Sequence, residues 1–238
     1  MKKIIKIIST EKSQYLVFLG MSIAAMLLTG IVYFITTQPF ERFIGSLNPL
    51  LAGAVIIILG GILSTFLLSQ GWFAIYRKRN LKGLFRRSGL PILFALITVL
   101  VDLRIVFPAD MNILFPESLF FYPAMVFFVE ILFHVLPLSM LLVSLTPIFK
   151  NISYEKVVWI CILMVSLLEP VYQTVWMGSF SRYPLWALVC VGLNLFLFNL
   201  SQLLIFRRYD FISMYAFRLV YYMFWHIGWG YFRLKVLF

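Results

Sequence analysis

Apolar residues run along this chain in blocks of about 20, separated by short polar joints, which is the pattern of helices that cross a bilayer rather than of one-sided surface helices. Seven blocks stand out: Tyr15 to Ile35, Leu50 to Tyr76, Leu90 to Phe107, Pro123 to Leu145, Val157 to Met177, Leu185 to Phe206 and Ile212 to Phe232. At a rise of 1.5 Å per residue, each is long enough for a hydrocarbon layer of about 30 Å. The third is interrupted by Asp102 and Arg104. The pattern predicts an all-α, polytopic transmembrane bundle of about seven spans, forming a single transmembrane domain over residues 1–238.

Composition removes the soluble alternatives. The chain is 63% hydrophobic and only 12% charged, and its mean hydropathy of +0.99 lies far from that of a soluble domain. The formal charge of +11 does not imply nucleic acid, because the basic residues fall in alternate loops and not on one face. Lys2, Lys3, Lys6 and Lys12 precede the first block, and Arg77, Lys78, Arg79, Lys82, Arg86 and Arg87 follow the second. Lys150 and Lys156 follow the fourth, and Arg207 and Arg208 the sixth. The intervening loops hold Arg42 with Glu41, then Asp110 and Glu117, then Arg182. The positive-inside rule therefore predicts a cytoplasmic N-terminus and an external C-terminus, in a multi-pass cytoplasmic (inner) membrane protein. The Arg77–Arg87 cluster is also suited to anionic lipid. The first block is too long for a signal-peptide core and is expected to be a retained span. Cys161 and Cys190 fall inside predicted helices, where small apolar packing is their ordinary role.

Charged and imidazole side chains inside such blocks are costly and normally face the bundle interior, so they are the candidate functional residues. They are Glu130 and His134 in the fourth block, Glu169 in the fifth, and Arg218 and His226 in the seventh; Asn194, Asn199 and Gln202 add uncharged polarity to the sixth. In AMVFFVEILFHVLPLSM (124–140), Glu130 and His134 are about 40° apart on one helical face. Ser166, Glu169 and Gln173 form a polar stripe in the fifth block. Pro137 and Pro170 free backbone carbonyls beside these residues and are expected to open space by kinking the helices. Counted from the cytoplasmic ends, Glu130, Glu169, His226 and His134 fall at about 22, 18, 21 and 16 Å, with Arg218 lower, at about 9 Å.

Two carboxylates and two imidazoles at one level suit a divalent metal, or a water polarised between a carboxylate base and neutral histidines. Each residue also has a structural explanation. Glu130 and His134 can bond each other as interhelical glue, Glu169 can pair with Arg218, and His226, in YYMFWHIGWG, can be satisfied within an aromatic belt. The amides of the sixth block are read as interhelical glue, with Asn194 a candidate for lining a cavity.

The fourth to seventh blocks resemble the CPBP family, the CAAX-protease and bacteriocin-processing (Abi) intramembrane peptidases, over a core of residues 119–232. VEILFHVLP (129–137) is similar to the family's EExxxR motif, with Glu130 at its second glutamate. LLEPVYQ (167–173) occupies the place of FxxxH, and FRRYDFISMYAFRLVYY (206–222) that of the turn and helix carrying HxxxN or HxxxD. Val129, His134, Glu169, Arg218 and Tyr222 depart from the family's residues, and Glu130 alone matches strictly.

The resemblance implies a membrane metalloendopeptidase that hydrolyses a peptide bond of a peptide or membrane-protein substrate at or in the lipid bilayer. Glu130 or Glu169 would act as base, His134, His226 and Glu169 would hold a divalent metal such as zinc, and Arg218, Tyr222 and Asn194 would stabilise or contact substrate. The alternative is a catalytically inactive CPBP-like scaffold or regulatory partner, with the fold kept and a buried network centred on Glu169 and Arg218. A proton-coupled transporter using a Glu–His relay is a third expectation, for which no inverted repeat is visible.

Overall fold

A computed structural model describes residues 10–77, 89–176 and 183–238. Lys2, Lys3, Lys6, the basic residues from Lys78 to Arg87, Met177 and Arg182 lie outside the described residues. The described residues form helices and connecting turns, with no strand among them. In chain order the helices are α1 (Lys12–Ile35), α2 (Gln38–Ile44), α3 (Pro49–Ser69), α4 (Gly89–Ile105), α5 (Ser118–Glu130), α6 (Leu136–Ile148), α7 (Tyr154–Val171), α8 (Leu185–Arg208), α9 (Phe211–Tyr222) and α10 (Gly230–Val236). Wider π-helical turns at Ile131–Val135, Tyr172–Trp176 and Met223–Trp229 join α5 to α6, extend α7, and join α9 to α10.

Among the described residues five helices are long and apolar enough to cross a membrane: α1, α3, the continuous column Ser118–Ile148, Tyr154–Thr174 and α8. The chain is a helical membrane protein. Its sidedness is the reverse of a soluble bundle. On α1 the outward residues are Leu16, Leu19, Ile23, Leu27 and Ile31, whereas Gln14, Ser22 and Thr29 point inward beside Phe18, Ala25 and Val32. Where the solvent is hydrocarbon, polar groups gain by turning to one another and to the backbone. Ser22 and Thr29 each donate to the carbonyl one turn back, Phe18 O and Ala25 O, at 2.8 Å.

Ser118–Ile148 is the central column, 56% buried across its apolar window against 17% for α3. Its Phe127, Ile131, Val135 and Leu138 meet Phe18 of α1, Cys161 and Ile162 of α7, Leu203 and Phe206 of α8 and Met214 of α9 in the main core. α1 packs on α5, α6 on α7, α7 on α8, and α8 on α4 and α9. The π turn at Ile131–Val135 ends two residues before Pro137, whose ring would press on the carbonyl of Phe133, so the column widens just ahead of the proline.

α3 is set by its ends. Asn48 Oδ1 accepts from the amides of Leu50 and Leu51 at 2.9 and 3.2 Å, with Pro49 at the first helical position. The second apolar block was expected to run helically to Tyr76, but the helix stops at Ser69 because Gly71 takes a φ of 75°. Phe73, Ala74 and Ile75 then run buried and non-helical beneath the bundle. Gln14 Oε1 accepts from Ile75 N at 2.7 Å, Ala74 O accepts from Phe211 N at 2.9 Å, and the Asp210 carboxylate accepts from Arg77 N at 2.9 Å.

Gly60 is where α3 reaches the central column: a Cβ there would lie 2.7 Å from Ile131 Cδ1. Gly60→Leu is therefore expected to overpack the interface and cost about 1–3 kcal/mol. Adding Ile131→Ala should recover part of that loss, measured as the melting midpoint of the two variants in one detergent.

Candidate functional site

Arg218, on α9, sits at the centre of the bundle and is 1% exposed. Its guanidinium forks onto Glu169 of α7, with Nη1 donating to Oε1 at 3.0 Å and Nη2 to Oε2 at 2.8 Å. Nε donates to Glu130 Oε1 of α5 at 2.8 Å. Nη2 also reaches the side-chain oxygens of Asn199 and Gln202 on α8, at 3.0 and 2.8 Å. Asn199 and Gln202 are three apart and so share one face of α8. The ring of Phe198 lies 5.3 Å and that of Tyr222 5.8 Å from the guanidinium carbon, positions that add a cation–π contribution.

The carboxylates are correspondingly occupied. Glu130 Oε1 accepts from Arg218 and from Gln202 Nε2, and Glu169 Oε1 accepts from Arg218 and from Gln173 Nε2 at 3.1 Å. His134 Nδ1 approaches Glu130 Oε2 at 2.8 Å, one turn along the same helical column. Among the described residues neither atom has another hydrogen-bond partner. Removing such charges from water costs several kcal/mol each, and that penalty is offset only where nearly every donor and acceptor is matched. Four separate helices supply the matching groups here.

Glu130, Glu169, His134 and Arg218 are thus brought together, and His226 is not. Its Nδ1 lies 2.8 Å from Asn112 Oδ1, and its ring stacks on Tyr122 at 4.6 Å and meets Tyr222 edge-on at 4.5 Å. Tyr222 lies between the two places. Counting depth from Ile212 placed His226, and not Arg218, level with the glutamates. The difference arises because α9 starts inside the bundle, its first amides bonded to Ala74 and Ile75 and its cap Asp210 2% exposed. Arg218 is raised to the glutamates, and His226 passes beyond them. Asn194 stands apart as well, with Nδ2 donating to Phe94 O and Thr98 Oγ1 at 3.1 Å, and Thr98 Oγ1 lying 3.1 Å from Tyr221 OH.

Among the described residues no three of His, Cys, Asp and Glu come together as a metal-binding group. Glu130 Oε1 and both carboxylate oxygens of Glu169 are already bonded to a cation, the Arg218 guanidinium.

A second buried ion pair lies near the end of α4. Asp102 and Arg233 are both fully buried, and Arg233 Nε and Nη2 donate to the two carboxylate oxygens at 2.9 Å. Trp229 Nε1 donates to Asp102 Oδ2 at 2.6 Å, and Phe107 N to Oδ1 at 2.8 Å. Arg233 also donates to the carbonyls of Phe107 and Pro108, at 2.6 and 2.8 Å. Sequence reasoning treated Asp102 as an interruption and left Arg233 out. A carboxylate in an apolar block with an arginine just past the end of the last one is the available signal, but their separation of 131 residues names no pairing.

With this geometry in hand, comparison of the chain with family models, curated proteins and solved structures returns no match in any of the three.

Proposed function

We propose that this chain is a seven-span, CPBP-like protein of the cytoplasmic membrane that acts as a non-catalytic scaffold or regulatory partner of other membrane proteins. The observation that carries this is the closed bond set of Arg218, whose fork and Nε hold Glu169 and Glu130 on two other helices. A general base needs a carboxylate oxygen turned to a substrate water, and here Glu130 Oε1 and both oxygens of Glu169 are bonded to a guanidinium, while Glu130 Oε2 lies beside His134. The seven-span count adds α4 and the α9–α10 column to the five apolar helices. Their buried charges, Asp102, Arg218 and Arg233, are internally paired, which lowers the cost of placing them in lipid. A cytoplasmic N-terminus is supported by the contacts that gather the basic ends, including Gln14 with the 71–77 segment and Arg207 with Glu155.

One contact favours a second function, the CPBP-type peptidase: Glu130 Oε2 and His134 Nδ1 have each other as their near partner, as a base and its orienting group would. Glu130→Gln and Glu169→Gln separate the two. A scaffold predicts that each lowers the melting midpoint of the detergent-purified protein, by about 1–3 kcal/mol of stability, and that chelator leaves the midpoint of the unsubstituted chain unchanged. Glutamine variants that melt normally but no longer process a membrane-protein substrate would establish the peptidase instead.

A further inference from the structure

The end of the bundle where α1 gives way to α3 carries apolar surface that the described residues leave uncovered. α2 is amphipathic: Pro39 and Phe40 are buried, Phe40 against Phe121 at 5.3 Å, while Glu41 and Arg42 lie on the polar side. The apolar sector is wider than its packing partner. Phe43, on the helix, and Leu47, just beyond it, remain 55% and 64% exposed. This surface continues the outward stripe of the flanking helices, following Phe34 and Ile35 at the end of α1 and preceding Leu51 on α3. Those stripes face hydrocarbon, because α1 and α3 are among the helices long and apolar enough to cross it.

The polar side of α2 is fixed in the opposite sense. Arg42 Nη2 bonds Asp110 Oδ2 at 2.6 Å and Nη1 donates to the Asp110 carbonyl, tying α2 to the segment that follows α4. That segment is itself held by Arg233, so α2 is braced against the bundle with its orientation set.

We infer that α2 lies in the plane of the membrane, with Phe43 and Leu47 inserted at the boundary between headgroups and acyl chains and Glu41 turned to water. The occupant of this surface is lipid. Continuity with the hydrocarbon-facing stripes on both sides sets its depth, and a short helix with one apolar face is suited to lie about 5–10 Å into that boundary. This inference is independent of whether the Arg218 cluster is structural or catalytic.

The test is nitroxide accessibility in phosphatidylcholine vesicles, using the full chain with the exposed Cys190 replaced by Cys190→Ser, the buried Cys161 left in place, and single labels introduced by Glu41→Cys, Phe43→Cys or Leu47→Cys. All three labelled side chains are exposed, so substitution leaves the core intact. The expected result is oxygen access exceeding that of a water-soluble nickel chelate at 43 and 47, with the order reversed at 41. Chelate access at 43 and 47 equal to that at 41 would place the helix in water and overturn the inference. Labels at 43 and 47 shielded from both reagents would mean a second copy or another protein covers the surface, and would overturn it equally.

Discussion

Arg218→Met is expected to cost about 3–5 kcal/mol of stability, because it leaves Glu130 and Glu169 as uncompensated buried carboxylates. For a chain of this length that corresponds to a fall in melting midpoint of about 6–20 °C, measured on detergent-purified protein. Arg218→Lys should recover little of it. One ammonium cannot supply the fork onto Glu169, the Nε bond to Glu130 and the bonds to Asn199 and Gln202 together. Replacing the whole set, Glu130→Met with Glu169→Met and Arg218→Met, should return most of the lost stability, since an apolar substitute for a buried ion network is often neutral or better. An unchanged midpoint in Arg218→Met would show that the guanidinium does not hold these helices together. A triple variant as unstable as the single would show that the cost lies in packing and not in charge.

The parts of this architecture that follow from composition and period were legible before any coordinates. Leu16, Leu19, Ile23, Leu27 and Ile31 recur at three- and four-residue spacing and face outward as a lipid-exposed stripe should. Glu130 and Glu169 were recognisable as partners in one layer because a carboxylate in hydrocarbon must find a cation or a proton. The pairing of Glu169 with Arg218 was available as a structural alternative for the same reason, and Asn199 and Gln202 serve as the interhelical glue expected of amides in a span. What was not legible depends on where helices begin in space. Gly71 ends α3 seven residues before Tyr76 would, and the freed segment lifts the start of α9 into the bundle. No periodicity in the seventh block encodes that shift, and it decides that Arg218 joins the glutamates while His226 goes to Asn112. Asp102 and Arg233 illustrate the same limit: each announces an unmet charge, but only the packing of the Met223–Trp229 turn against α4, which carries α10 behind it, says which charge meets which.

That second pair is expected to be as costly to break as the first. Asp102→Asn keeps the side-chain shape and one acceptor for the Phe107 amide but removes the charge opposing a fully buried guanidinium, leaving Arg233 with the carbonyls of Phe107 and Pro108. A loss of about 3–5 kcal/mol follows from an unpaired buried charge. The position offsets a small part of it, because a carboxylate in the last turn of α4 is opposed by the helix dipole and the neutral amide relieves that opposition. The effect should also be local. Val106 has a φ of 51°, unusual for a β-branched residue, and the turn it makes is closed on either side by Val106 N donating to Asp102 O and Phe107 N to Asp102 Oδ1. Amide hydrogen exchange should therefore speed up at residues 106–113 in Asp102→Asn well before it does along Ser118–Ile148, the central column. Exchange that rises equally along both would mean that the pair supports the whole bundle and not the turn. Unaltered protection at Phe107 would mean that the turn is held without the charge, by the backbone bond from Val106 and the contact of α10 alone.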